Sequence, residues 1–320
     1  MQQFFKYLPQ PRNIFSEGFI RLTQSSALND PFEAAHCHKS LDILVSYFDE
    51  ENAYDYEEGE CSYRRFIDKN LSKVGVISLS ATKDNLLMWA HYADEHRGVV
   101  VGVAQFDIEQ PIFESLFSAE HFATNSLGID SYYDGIPRPV SYKKGLRYKN
   151  DMFEHDYGSI CEEGGDRLLY EIFMQKSDEW VYEQEYRVVL RLEQADRVIV
   201  DNINDIENEE VRDLLRQSKF SKARRAGKKQ SSTYTIDLYK IKDIFRRQLF
   251  GKVLAKLGSN AKNIYLMRLD SSCINSCYIG LRSSVVKSMI EVGYASSTGY
   301  LDIRKAEKNS EYYNLEFEEI

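Results

Sequence analysis

Glu183-Gln184-Glu185-Tyr186-Arg187 lies inside Trp180–Leu192 (WVYEQEYRVVLRL), a run whose β-branched and aromatic content predicts a strand. Residues two apart on a strand share a face. Glu183, Glu185 and Arg187 would then point one way, and Gln184, Tyr186 and Val188 the other. Three charges on one face form either the floor of a cleft or an outer surface held by cross-strand ion pairs. In a cleft, one carboxylate would hold a substrate hydroxyl while the other handles charge or a proton.

Two other groups carry hydroxyls or rings at useful spacing. Ser78-Leu79-Ser80 ends a strand with both hydroxyls on one face, suited to a ribose or an amide, or to capping the helix that follows. In Met88-Trp89-Ala90-His91-Tyr92, Trp89 and Tyr92 are three apart and neighbours on a helix, for core packing or for stacking on a ring. His36-Cys37-His38 with Glu33 nearby is rich in ligand types. Tetrahedral sites, however, separate paired ligands by about two to five residues and need four groups. No CxxC or HExxH completes the set, so no metal site is expected. Lys222, Arg224, Arg225, Lys228 and Lys229, with Arg246 and Arg247 further on, would contact nucleic-acid phosphates or form a solvated loop. The chain has no GxGxxG, no GxxxxGK[ST] and no GxSxG, which removes the usual support for Rossmann, P-loop and serine-hydrolase chemistry.

The elements that must position these groups are legible in part. Gly18 separates a short helix end from a strand at Phe19–Leu22, and Asn29-Asp30-Pro31 favours a turn. Helical spacing is read over 36–48, Tyr63–Leu71, Leu86–Asp94, 160–178, Glu209–Ser218 and Ser283–Val292, with an acidic loop at Asp49–Glu60. Strands are read at Val74–Ser80, Gly98–Val103, Val140–Tyr142, Trp180–Leu192, Cys277–Leu281, Tyr300–Ile303 and Leu315–Phe317. Residues 107–139 read as irregular. GVVVGV, apolar almost throughout, is expected to be a buried central strand. Helices and strands mix without strict βαβ alternation, which predicts an α+β fold: a mixed, mostly antiparallel sheet flanked by helices.

The 320 residues suit one large domain or two small ones. With 50 acidic against 41 basic residues and a net charge of −9, the chain is no general polyanion binder. Five cysteines without spaced pairs read as reduced thiols of a cytoplasm, not a disulfide framework. No apolar run approaches the roughly 20 residues of a membrane span, and Met1–Arg12 has no signal-peptide pattern.

The order of the pieces resembles a bacterial family of unknown function, DUF2971. The resemblance rests on Lys6-Tyr7, Leu28-Asn29-Asp30-Pro31-Phe32-Glu33, Ser78-Leu79-Ser80, Leu87-Met88-Trp89-Ala90-His91-Tyr92-Ala93, Gly98 with its strand, Tyr142, Trp180–Arg187, Gly280 and Leu315-Glu316-Phe317. It spans nearly the whole of 1–320 as one domain. It departs at Tyr186, where the family commonly has Trp, and at about 195–265, expected to be a variable insertion. The layout is also similar to that of ADP-ribosyltransferases, which split NAD⁺ between nicotinamide and ribose. That likeness implies Glu185 as catalytic carboxylate, Glu183 as its partner, and Lys6 or Tyr7 with Ser78 and Ser80 as NAD-binding groups. Trp89 or Tyr92 would stack on a ring, and Arg187 would neutralise the pyrophosphate or pair with Glu185. The implied partners are NAD and a protein or nucleic-acid acceptor, in a toxin or phage-defence effector. Two alternatives stay open: a nuclease using Asp166 or Asp178 with Glu183 and Glu185 around Mg²⁺, and a non-enzymatic sensor or partner-binding module.

Overall fold

Alternation at the very start of the chain builds a strand, β1 (Gln2–Leu8), that sends Phe4 and Phe5 into the core on opposite faces. These coordinates come from a computed structural model, which describes residues 2–11, 13–37, 39, 63–105, 116–117, 132–146, 161–226, 229–290, 293–295 and 301–320. A short helix α1 (Ile14–Glu17) stops at Gly18, whose φ of +79° lets its N–H reach back to Ile14 O, and the chain turns into β2 (Phe19–Gln24). Helix α2 (Tyr63–Asn70) precedes β3 (Val74–Ser80). Asn85 caps helix α3 (Leu86–Tyr92) by accepting from the N–H groups of Leu87 and Met88. Strand β4 (Val99–Gln105) follows. Gly98, before it, must be glycine because a Cβ there would fall 2.1 Å from Leu8 O.

The second half opens with β5 (Arg138–Pro139), β6 (Ser141–Lys143), helix α4 (Cys161–Phe173), β7 (Gln175–Ser177) and β8 (Glu185–Arg191). Then come β9 (Arg197–Val200), α5 (Glu209–Gln217), β10 (Ser221–Ala226), β11 (Lys229–Asp237) and α6 (Ile244–Ala255). Strands β12 (Ile264–Arg268), β13 (Ile274–Ile279), β14 (Asp302–Lys308) and β15 (Leu315–Glu319) complete the described chain.

Among the described residues, thirteen strands join in one sheet, running β10-β11-β9-β12-β2-β3-β1-β4-β13-β14-β15, with β8 also on β3 and β5 beyond it. Every pairing in it is antiparallel except β13 with β14, and β6 and β7 form a separate parallel pair. The fold is therefore α+β with a mixed, mostly antiparallel sheet, as the sequence predicts. Val99, Val100, Val101 and Val103 are fully buried, so the GVVVGV strand is central.

One irregularity of this sheet matters most. On one edge, β3 pairs with β8 along its whole length, from Val74↔Arg191 to Ser80↔Glu185. The other edge is shared: β2 meets it at Gly75 and Val76, and β1 at Ser80 alone. Beyond those points β2 departs with β12 and β1 with β4. Between them, Ile77–Leu79 meets no strand on that edge among the described residues. The sheet forks at β3.

Several sequence expectations are corrected. Trp180–Leu192 is not one strand: Asp178–Glu183 is a 3₁₀ turn ended by Gln184 at φ +45°, and the strand begins at Glu185. The helix read over 160–178 stops at Phe173, and Gln175–Ser177 is extended. The basic run at 222–229 is not a loop but enters an edge hairpin, β10–β11. At Ser283–Val292 the described residues hold only a 3₁₀ turn, Lys287–Met289. The helix expected at 36–48 lies mostly, and the acidic loop at 49–60 entirely, outside the described residues.

Candidate functional site

The fork leaves a cavity of about 190 Å³ lined by groups from well-separated regions of the chain. Strand β1 supplies Phe5, Lys6 and Tyr7, and β3 supplies Ser78, Leu79 and Ser80. Asn29, Asp30 and Glu33 come from the turn after β2, and Met88 and Tyr92 from α3. Lys176, Trp180 and Glu183 come from the segment between α4 and β8, and Glu185 from the start of β8. The register explains the convergence. Ser80 lies opposite both Phe5 and Glu185, and residues opposite one another in antiparallel strands share a face.

On the β1 side, the Lys6 ammonium donates to Ser78 O at 2.7 Å, in the gap between the β2 and β1 pairings of β3. Tyr7 donates its hydroxyl to Thr82 O at 2.9 Å, and burial raises its pKa. The Ser80 hydroxyl donates to Glu183 O at 2.7 Å, which ties the end of β3 to the 3₁₀ turn. Ser78 is half-buried on the same wall.

The acidic side is a buried network. The Lys176 ammonium lies 2.6 Å from Glu183, 3.0 Å from Glu185 and 3.0 Å from Glu33. Beneath it, the Arg187 guanidinium grips Glu185 through Nε at 2.7 Å and Nη2 at 3.0 Å, reaches Glu33 through Nη2, and donates Nη1 to Phe173 O. The phenol of Tyr92 donates to Glu183 at 2.6 Å. Three carboxylates thus share two cations, and none of the five is more than 6% exposed in its side chain.

The two neighbouring glutamates are driven apart. Burial pushes the Glu185 carboxyl up, but the Arg187 and Lys176 cations outweigh it and hold the group down to about 2. For Glu183, burial prevails over Lys176 and Tyr92, and its pKa is raised. Burial would lower Lys176, but Glu185, Glu33 and Glu183 together raise it. One carboxylate is held ionised and its neighbour is poised to take a proton.

Of the groups expected from the sequence, Lys6, Tyr7, Ser78, Ser80, Tyr92, Glu183 and Glu185 meet in this cavity. Two do not. Trp89 is 0% exposed, its indole donating to Lys83 O and its ring packed edge-on to Tyr7 at 5.7 Å, so it cannot stack on a ligand. Arg187 is 0% exposed and occupied by Glu185 and Glu33 below the cavity wall, out of reach of a pyrophosphate. Nor do Glu183, Glu185 and Arg187 share one strand face, because Glu183 precedes the strand. The nuclease arrangement is not assembled: Asp166 pairs with Arg191, and Asp178 stands 3.9 Å from Lys144. His38 of the His-Cys-His run lies outside the described residues.

Lys176, Arg21, Asp30, Trp180 and Glu33 also line the cavity, beyond the site residues that the sequence predicts. Glu33 had a signal in the NDPFE turn; Lys176 had none, because its helical context concealed it.

A family model described as a protein of unknown function (DUF2971) matches residues 88–188, just under a third of the chain. That segment holds Tyr92, Lys176, Glu183, Glu185 and Arg187, the acidic half of the cavity, but not β1 or β3. No curated protein and no solved structure matches the chain.

Proposed function

We propose that the fork cavity binds the nicotinamide-ribose end of NAD⁺ and cleaves its N-glycosidic bond, passing ADP-ribose to water or to a macromolecular acceptor, in the manner of an ADP-ribosyltransferase. One observation carries the reading: hydroxyls of β3 and two glutamates a hundred residues later line a single cavity, with the glutamates' proton affinities pushed in opposite directions. A pair of titratable groups separated in this way divides the roles of electrostatic stabiliser and proton acceptor.

Breaking the bond sends its electron pair out with nicotinamide and leaves positive charge on the ribose. Glu185, ionised at any pH above its depressed value, stabilises that charge. A lone pair of the acceptor oxygen or nitrogen then attacks the anomeric carbon, and Glu183 takes the acceptor's proton. Ser78 holds a ribose hydroxyl, and Tyr92 keeps Glu183 aligned.

The test is nicotinamide release on incubation with NAD⁺. Glu185→Gln should lower the rate about a thousandfold, and Glu183→Gln about a hundredfold with a flattened pH profile. The reading is wrong if no nicotinamide appears with water, protein or nucleic acid as acceptor and NAD⁺ leaves the melting temperature unmoved.

A further inference from the structure

Charge is unevenly distributed in this acidic chain. Residues 212–262 hold fifteen Lys and Arg against three Asp and Glu, whereas the remaining positions hold 26 basic against 47 acidic side chains. Some of the fifteen are neutralised locally: Arg212 by Glu209, Arg216 by Asp213, Lys240 by Asp237 and Arg247 by Asp196. Lys219, Lys222, Arg224, Lys242, Arg246, Lys252 and Lys256 are exposed, and none pairs with a carboxylate among the described residues.

These cations lie along a track. Helix α6 buries one stripe, Arg247, Phe250, Gly251, Leu254 and Ala255. The opposite stripe, spaced i, i+4, i+7 and i+11, presents Phe245, Leu249, Lys252 and the C-cap residue Lys256 to solvent over about 16 Å. At its start, Phe220 on the approach to β10 packs against Phe250 at 5.9 Å, and the Arg246 guanidinium lies 5.4 Å from the same ring. Phe220, between Lys219 and Lys222 in the chain, therefore brings the start of β10 to the helix. At its far end, Lys256 lies near Lys73, whose ammonium is depressed by burial and then by Lys69 and Lys256, with Glu193 acting against them. In the middle of the track Phe245 stands 83% exposed.

We infer that the β10–α6 surface is a docking track for single-stranded nucleic acid, with the lysines and arginines on phosphates and Phe245 stacking on a base. Spaced cations with an unpacked aromatic between them suit a flexible strand, whose bases are free to stack. Cations on an edge strand also discourage edge-to-edge pairing, but that accounts for Lys222 and Arg224 only, not for the helix. Three exposed apolar side chains (Ile244, Phe245 and Leu249) among these charges make a poor membrane face. The inference stands apart from the cavity chemistry, because its assay contains no NAD⁺.

Fluorescence anisotropy with labelled oligo(U) and oligo(dT) of about 16 nucleotides tests it. Binding to either supports the track, and the preferred one identifies RNA or DNA. With about five phosphates engaged, affinity should fall roughly a hundredfold between 50 and 200 mM salt. Substituting Lys222, Arg246, Lys252 and Lys256 together by Gln should weaken binding at least about tenfold. Phe245→Ala should cost about fivefold or more with the salt slope unchanged. Absence of binding to both oligonucleotides at 50 mM salt, tighter capture of polyglutamate or phosphatidylserine vesicles, or undiminished binding by a folded quadruple variant overturns the inference. Lys252→Gln/Lys256→Gln serves the same comparison if the quadruple variant does not fold.

Discussion

Glu185 is the residue on which the cavity's electrostatics turn. Its carboxylate is fully buried yet stays charged, because Arg187 and Lys176 bond the ionised form. A carboxyl whose folded pKa is depressed contributes stability above its ordinary value, near 4.5, and loses it as pH falls toward about 2. Acid titration of the wild type should therefore show a fall in melting temperature across that window. Glu185→Gln should be less stable at neutral pH by about 3 kcal/mol, because it leaves two buried cations short of a carboxylate. Its melting temperature should also change less between pH 5 and 2; an unaltered acid slope would mean that another group sets it. Glu183 works in the opposite sense. Its raised pKa favours the folded state at low pH and costs stability as the group ionises, and this strain suits a proton acceptor.

At the scale of elements, one amide both caps α3 and ties its start to the 3₁₀ turn before β8. Asn85 accepts from Leu87 and Met88 to cap α3, and its Nδ2 donates to Tyr182 O at 2.7 Å. Two turns of helix later, Tyr92 reaches Glu183. The cap and the tether are separable by substitution. Asn85→Ser keeps an N-cap oxygen and should cost no more than about 0.5 kcal/mol, but it removes the tether. Asn85→Ala should cost about 1 kcal/mol as well. Both should slow nicotinamide release, and Asn85→Ser should do so with almost no change in melting temperature. An Asn85→Ser enzyme of full activity would show that Tyr92 finds Glu183 without this link.

For the whole molecule, the fork in the sheet separates a buried centre from an exposed margin. Strand β4 is paired on both edges, by β1 and β13, and its valines are sealed from solvent, whereas among the described residues β10 has a partner on one edge only. Amide hydrogen exchange should be slowest at Val99–Val103 and faster by orders of magnitude at Ser221–Arg224. Comparable protection in the two would contradict this arrangement. The sequence by itself determined the elements whose signals are local. Gly18 needs a left-handed turn, GVVVGV has no polar face to show to water, and Leu86–Asp94 carries helical spacing that folds as α3. It also supplied most of the cavity's chemistry: the alternate spacing of Ser78 and Ser80 announces a shared face, the paired glutamates stand out by type, and Lys6 and Tyr7 come from what the resemblance implies. Tertiary structure alone decided which of them can act. Trp89 and Arg187 have the chemistry for a ligand but lie under packed atoms, and burial is a property of neighbours distant in the chain. Lys176 became the centre of the site because three glutamates from two segments converge on one ammonium. No spacing rule encodes that convergence, since it arises only where two strands part from a third.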